Sequence, residues 1–158
     1  MNNKKIINTA KNVIKTEIIA LKKLQNTIDH SFCKAINLIA KTKGRIICCG
    51  VGKSAKILEK ISSTLSSVGI SSFTLDPTDA NHGSLGAIKK KDILLIASFS
   101  GNSSELNNIL KYAKKNSIKI IGISSNVNST LINYSKIKIL RKHYFRHYFY
   151  NLSKYKNI

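Results

Sequence analysis

The stretch Ser98-Phe99-Ser100-Gly101-Asn102-Ser103-Ser104-Glu105 lies between the apolar run Asp92-Ile93-Leu94-Leu95-Ile96-Ala97 and the segment Leu106 to Lys115. The apolar run reads as a buried strand and the following segment as a helix. A hydroxyl-rich, glycine-bearing turn between strand and helix aims backbone N–H groups and side-chain hydroxyls at one point. The helix N-terminus adds partial positive charge there. This is a phosphate pocket made without cations. Helix capping by Ser103 or Ser104 is the plainer reading. Capping takes one hydroxyl, whereas this turn offers four serines and the carboxylate of Glu105.

Outward from this turn the chain alternates strands and helices. Arg45 to Cys49, Ser71 to Leu75, Asp92 to Ala97, Lys119 to Ile123 and Lys136 to Leu140 read as strands. Ser54 to Val68, ended by Gly69, reads as a helix, as do Ser103 to Asn116 and a short segment near Ser129 to Tyr134. The alternation predicts a doubly wound α/β domain, a parallel sheet with helices on both faces. Ligands of such sheets bind at the strand carboxyl ends, at a topological switch point. Upstream, Ile6, Ala10, Val13, Ile14, Ile18, Leu21, Leu24, Ile28, Phe32, Ala35, Ile36 and Ile39 recur mostly at three- and four-residue intervals. They predict an N-terminal helical hairpin over residues 5 to about 41, broken near Gln25 to His30 and closed by Gly44. Its apolar stripe must be buried against the domain or a second subunit. The expected division is N-terminal helices over 1–43, the sheet domain over 44–140 and an anomalous tail over 141–158.

At 158 residues the chain is one domain with enough length for a real core. No apolar run approaches the ~20 residues that span a bilayer. No signal peptide is visible, so a cytoplasmic location is expected. The net charge of +20 invites a nucleic-acid reading. The lysines are scattered, however, and arginine occurs only at Arg45, Arg141 and Arg146, where base and phosphate forks favour it. Abundant Ile, Asn and Lys match A/T-rich codons, so genome bias accounts for the charge. Neither a nucleic-acid nor a membrane partner is expected. Cys33, Cys48 and Cys49 form neither a disulfide framework nor a zinc set. Cys48 and Cys49, adjacent in a strand, point to opposite faces and read as small buried residues. The tail from Arg141 to Ile158 carries Tyr144, Phe145, Tyr148, Phe149, Tyr150 and Tyr155, with five basic residues and no acid. It reads as a non-native end rather than a binding tail.

Two further constellations sit at strand carboxyl ends. Cys49-Gly50-Val51-Gly52-Lys53-Ser54 is not a P-loop, because Ile47 stands where its first glycine would be. It fits the looser G-x-G-x-x-A pattern through Gly50, Gly52 and Ala55. Asp76 ends the second strand, where a dinucleotide domain binds ribose. Lys53 at a helix N-terminus is disfavoured by the dipole and calls for an anion or a partner such as Glu105. His82, in the loop Ala80-Asn81-His82-Gly83, falls on the same sheet edge and can move protons or steady a sugar hydroxyl. A plain loop histidine is the alternative.

Gly50-x-Gly52-Lys53-Ser54, Ala80-x-His82-Gly83-x-Leu85-Gly86 and Ser98-x-Ser100-Gly101-x-Ser103-x-Glu105 occur in the order and spacing of sugar isomerase (SIS) domains. More narrowly, residues 10 to 140 resemble arabinose-5-phosphate isomerases, which feed the Kdo pathway of lipopolysaccharide synthesis. The resemblance implies a five-stranded parallel sheet in flavodoxin-like order and a homotetramer held partly by the N-terminal helices. It implies interconversion of D-ribulose 5-phosphate and D-arabinose 5-phosphate through a cis-enediol, with no metal and no nicotinamide. Ser98, Ser100, Gly101, Ser103 and Ser54 would hold the phosphate, and Lys53, Glu105 and His82 would line the sugar and act in catalysis. Family members continue past the fifth strand with a second active-site glutamate, a Ser/Thr-rich helix and a late histidine, and many carry a CBS pair. This chain has no acid after Glu105, and its tail looks like a frameshifted or truncated end. The expected function is therefore a phosphosugar isomerase whose activity the truncation can remove. The alternatives are a non-catalytic phosphosugar-binding module and a dinucleotide-binding domain.

Overall fold

Five short apolar runs become the five strands of one parallel sheet in the computed structural model, which describes residues 3–80 and 83–140. The strands are β1 (Ile46–Gly50), β2 (Ser72–Leu75), β3 (Ile93–Ala97), β4 (Lys119–Ser124) and β5 (Ile137–Leu140), in the order β2-β1-β3-β4-β5. The helices are α1 (Asn3–Gln25), α2 (His30–Ala40), α3 (Lys53–Ser67), α4 (Pro77–Ala80), α5 (Asn107–Lys115) and α6 (Thr130–Tyr134). The anomalous tail lies outside the described residues, as does His82. The expected fold class and strand order both hold. The expected break near Gln25 to His30 falls between α1 and α2.

Every residue of β1 is buried, because a parallel strand covered on both faces needs apolar groups at odd and even positions alike. Ile47 and Cys49 join Leu94, Ile96, Ile109, Leu110 and Leu131 in a core beneath α4, α5 and α6. Ile46 and Cys48 join Ile93, Leu95, Ile121, Ala35 and Leu58 in the opposite core, beneath α2 and α3. The two cysteines thus face opposite ways, as their adjacency requires. Burial raises the Cys48 thiol pKa and pushes that of Cys49 up to about 12, so neither is a nucleophile at neutral pH.

The chain divides into two compact units. One contains α1, and the other runs from His30 to Leu140. None of the side chains of α1 is buried, and Ile6, Ile7, Ile14, Ile18, Ile19 and Leu21 are exposed. Helix α2 belongs with the sheet, where it packs over β5.

Two local expectations change. The helix read from Ser103 begins instead as a 3-10 turn over Ser104–Leu106, with α5 starting only at Asn107. The segment after β2, read as loop, opens with α4 because Asp76 Oδ1 accepts the Thr78 N–H at 2.7 Å, an Asx cap ahead of Pro77.

The amino ends of β1 and β3 are clamped by one ion pair. Asp92 is 3% exposed. Its Oδ1 accepts the Arg45 backbone N–H at 2.9 Å, and its Oδ2 accepts Arg45 Nη2 at 2.7 Å and the Lys89 N–H at 2.8 Å. Burial raises the Asp92 pKa. Hydrogen bonds from Arg45 and the Lys89 N–H, with the Arg45 charge, outweigh that and hold it below the usual carboxylate value. A depressed folded-state pKa means stabilisation that is complete above the unfolded value, about 3.9, and is lost as pH falls through the folded value. Thermal unfolding from neutral pH down to about pH 2 should therefore show a midpoint that drops on the acid side of about pH 4. Asp92→Asn should be less stable at neutral pH by about 1–3 kcal/mol and show a shallower acid limb. An unchanged acid limb would remove Asp92 from its cause.

Candidate active site

The strand order reverses between β1 and β3, which are direct neighbours, with Gly50 paired to Ala97 at their carboxyl ends. The turn after β1 and the turn after β3 therefore start side by side, at the place where doubly wound sheets bind ligands. The first turn is short. Gly52 takes φ +58°, a left-handed conformation that L side chains avoid. Helix α3 begins immediately at Lys53 with no side-chain cap. Lys53 is exposed and Ser54 is half-buried, both in the opening turn of α3.

The second turn is the serine stretch, knitted by its own hydroxyls. Ser98, 6% exposed, accepts the Gly101 N–H on Oγ at 3.1 Å and shares a hydrogen bond with Ser103 Oγ at 3.0 Å. Ser100 Oγ, at the exposed tip, accepts the Asn102 N–H at 3.2 Å. Ser103 takes extended backbone angles ahead of the 3-10 turn, and no side chain caps that turn or α5. The capping reading therefore fails: Ser103 Oγ goes to Ser98, and Ser104 Oγ goes to Glu105 Oε2 at 3.1 Å. What remains is a hydroxyl-lined turn leading into an uncapped helical start, an arrangement suited to an anion with several acceptor oxygens.

Ser98, Ser100, Gly101, Ser103 and Glu105 thus share one turn and the 3-10 segment that follows it. Lys53 and Ser54 stand on the adjoining turn, at the same sheet edge. Glu105 is half-buried. Helix α4, which leads toward His82, packs on the 3-10 turn that carries Glu105, and Ala80 shares a core with Leu106. Asp76, the ribose-binding acid of the dinucleotide reading, is engaged as the cap of α4. Among the described residues no group of three or more His, Cys, Asp or Glu is arranged to hold a metal ion. Nor is any described helix long and apolar enough to cross a membrane.

Sequence reading missed one neighbour. The connection from β4 to α6, Ser124-Ser125-Asn126-Val127-Asn128-Ser129, backs the serine turn. Ser124 Oγ, Ser125 Oγ and the Ser125 N–H all donate to the Phe99 carbonyl, at 3.1, 2.7 and 3.1 Å. Gly101, at φ +68°, presses its Cα against Ser129, where a Cβ would overlap the Ser129 hydroxyl. The signal available was a second Ser/Asn-rich turn at another strand carboxyl end.

Topology and turn together define a doubly wound α/β domain with a hydroxyl-lined, uncapped turn at its switch point. The SIS domain model matches residues 38–145, and the chain belongs to that family. It is 45% identical over 130 residues to an uncharacterized protein of Rickettsia prowazekii, covering 82% of this chain and 40% of that protein. It is 40% identical over 136 residues to the arabinose 5-phosphate isomerase KdsD of Francisella tularensis, covering 84% of this chain and 42% of that enzyme. The chain thus spans about two fifths of the length of these curated relatives. Among solved structures it is similar to a protein of E. coli CFT073 in complex with arabinose 5-phosphate. The TM-score is 0.83 at 28% identity, covering 89% of this chain and 74% of that one.

Proposed function

We propose that this chain carries the phosphosugar site of an aldose–ketose isomerase that interconverts D-ribulose 5-phosphate and D-arabinose 5-phosphate through an enediol, supplying the Kdo branch of lipopolysaccharide synthesis. The observation that carries this reading is the uncapped, hydroxyl-lined turn at the switch point. The similarity to arabinose 5-phosphate isomerases supports the choice of sugar. In this reading Ser98, Ser100, Gly101 and Ser103, with Ser54 from the adjoining turn, hold the phosphate. The sugar then reaches toward Lys53, Glu105 and His82.

The reaction moves two protons and no net electrons. Carbon 1 of the ketose is oxidised from alcohol to aldehyde while carbon 2 is reduced from ketone to alcohol. No external oxidant or reductant enters the balance, so no nicotinamide is called for, and the reading assigns both proton transfers to side chains, without a metal. The Glu105 carboxylate takes the proton from carbon 1 and returns it to carbon 2. The Lys53 ammonium stabilises the oxyanion that develops between these steps, and His82 passes the second proton between the two oxygens. A cytoplasmic, self-associated protein completes the reading. The unburied apolar residues of α1 support self-association, which sedimentation can test.

A second reading, a phosphosugar-binding module without turnover, is favoured by one observation: the turn is lined by serine hydroxyls and main-chain N–H groups, which bind an anion but move no proton from carbon. Calorimetry with arabinose 5-phosphate and a turnover assay with ribulose 5-phosphate separate the two. Ser100→Ala and Ser103→Ala should each weaken sugar-phosphate binding about tenfold or more, the scale of a hydrogen bond to a charged group. Unchanged binding in both variants sinks the phosphate assignment. A thermal shift with NAD or NADP and none with sugar phosphate would favour the dinucleotide reading instead.

A further inference from the structure

The serine turn stands exposed at its tip, with Phe99 41% accessible and Ser100 and Asn102 open to solvent. An exposed tip has little side-chain packing to fix it, yet an anion site made of main-chain N–H groups works only if those groups are held in place before the ligand arrives. The rigidity comes from the turn's back. Three donors from Ser124 and Ser125 converge on the Phe99 carbonyl, one more than its two lone pairs accommodate singly. The Leu131 N–H donates to the Gly101 carbonyl at 2.9 Å. The Asn102 side chain reaches across in return, its Oδ1 accepting the Thr130 N–H at 2.8 Å.

Peptide geometry turns this anchoring into aim. No described peptide bond is cis, so each C=O points opposite to the N–H of the next residue. Fixing the Phe99 carbonyl onto Ser124 and Ser125 directs the Ser100 N–H away from the β4–α6 connection. Fixing the Gly101 carbonyl onto Leu131 directs the Asn102 N–H away from α6. Its acceptor, Ser100 Oγ, accordingly lies on that outward side.

We propose that Ser125 and Asn102 are positioning residues for the phosphate site. Ser125, on the β4–α6 connection, pins the Phe99 carbonyl, and Asn102 ties the turn to the start of α6. Together they aim the Ser100 N–H, and through the bond from the Asn102 N–H the Ser100 hydroxyl, at a phosphate that neither side chain touches. The inference rests on the phosphosugar reading above and adds the device that pre-sets its turn.

The test is the affinity of the 158-residue chain for arabinose 5-phosphate by calorimetry, well below the unfolding midpoint of every variant. Ser125→Ala keeps the backbone N–H bond to Phe99, and Asn102→Ala leaves Ser129 as the cap of α6, so both variants retain their fold. Each should weaken binding about three- to tenfold, and the double variant more, on the scale of lost hydrogen bonds. Ser125→Thr, which keeps the hydroxyl, should restore the wild-type affinity. A merely structural role would lower the unfolding midpoint and leave the affinity of the folded protein unchanged, and that result overturns the assignment. Failure of Ser125→Thr to rescue overturns it as well. If the wild-type chain itself binds no arabinose 5-phosphate, the phosphosugar reading falls and takes this inference with it. Equal binding by wild type and the double variant removes only the positioning role.

Discussion

Replacing Gly101 with alanine should abolish sugar-phosphate binding and lower the unfolding free energy by about 2–4 kcal/mol. Two costs combine. The backbone at φ +68° is one an L side chain enters only with strain of about 1–2 kcal/mol. The added methyl would also overlap the side chain of Ser129 and come within 2.7 Å of Ser124 Oγ. Neither serine can yield freely. Ser129 is 0% exposed and Ser124 2% exposed. Ser129 Oγ donates to the Asn126 carbonyl at 2.8 Å and caps α6. The turn must therefore move, carrying Ser98, Ser100 and Ser103 out of register. Gly69→Ala is the matched control, since Gly69 also has positive φ, at +84°, but an added Cβ would meet nothing within 4 Å. It should cost only the strain, about 1 kcal/mol, and leave binding intact. Chemical denaturation with calorimetry reads both quantities. Equal behaviour of the two alanine variants would mean that the turn is not braced as described.

The second large effect is chemical. Glu105→Gln should cut turnover of ribulose 5-phosphate by about 10²–10⁴-fold, the usual contribution of a positioned acid–base group, while the dissociation constant for arabinose 5-phosphate stays within about threefold. The amide keeps the shape of the carboxylate and can still accept from Ser104 Oγ, so the fold is undisturbed. A parallel loss of binding would make Glu105 a sugar contact. Unimpaired turnover would exclude it from proton transfer.

Much of the architecture was legible because the physics is local and periodic. Wholly apolar runs such as Ile93 to Ala97 allow little but a strand buried on both faces, and the strand–helix alternation restricts the topology. The serine turn was legible because four hydroxyls exceed what a cap requires. The 3-10 start over Ser104–Leu106 was not, since it depends on Leu106 being drawn fully into the core while Ser103 Oγ is held by Ser98. The bracing by Ser124, Ser125 and Ser129 was also out of reach. Their partners lie about 25 residues away along the chain, and only the pairing of β3 with β4 brings them together. The Arg45–Asp92 clamp escaped notice for the same reason, its two residues being 47 positions apart.

The packing of α2 over β5 sets an order of events during synthesis. Ala35 of α2 shares its core with Ile137 and Ile139 of the last strand, so this contact cannot form until roughly a hundred further residues have been made. At about 5–20 residues per second, that is an interval of about 5–20 s in which the inner face of α2 has no strand β5 to cover it. Throughout that interval the uncovered apolar face of the nascent chain is open to wrong pairings and to a chaperone.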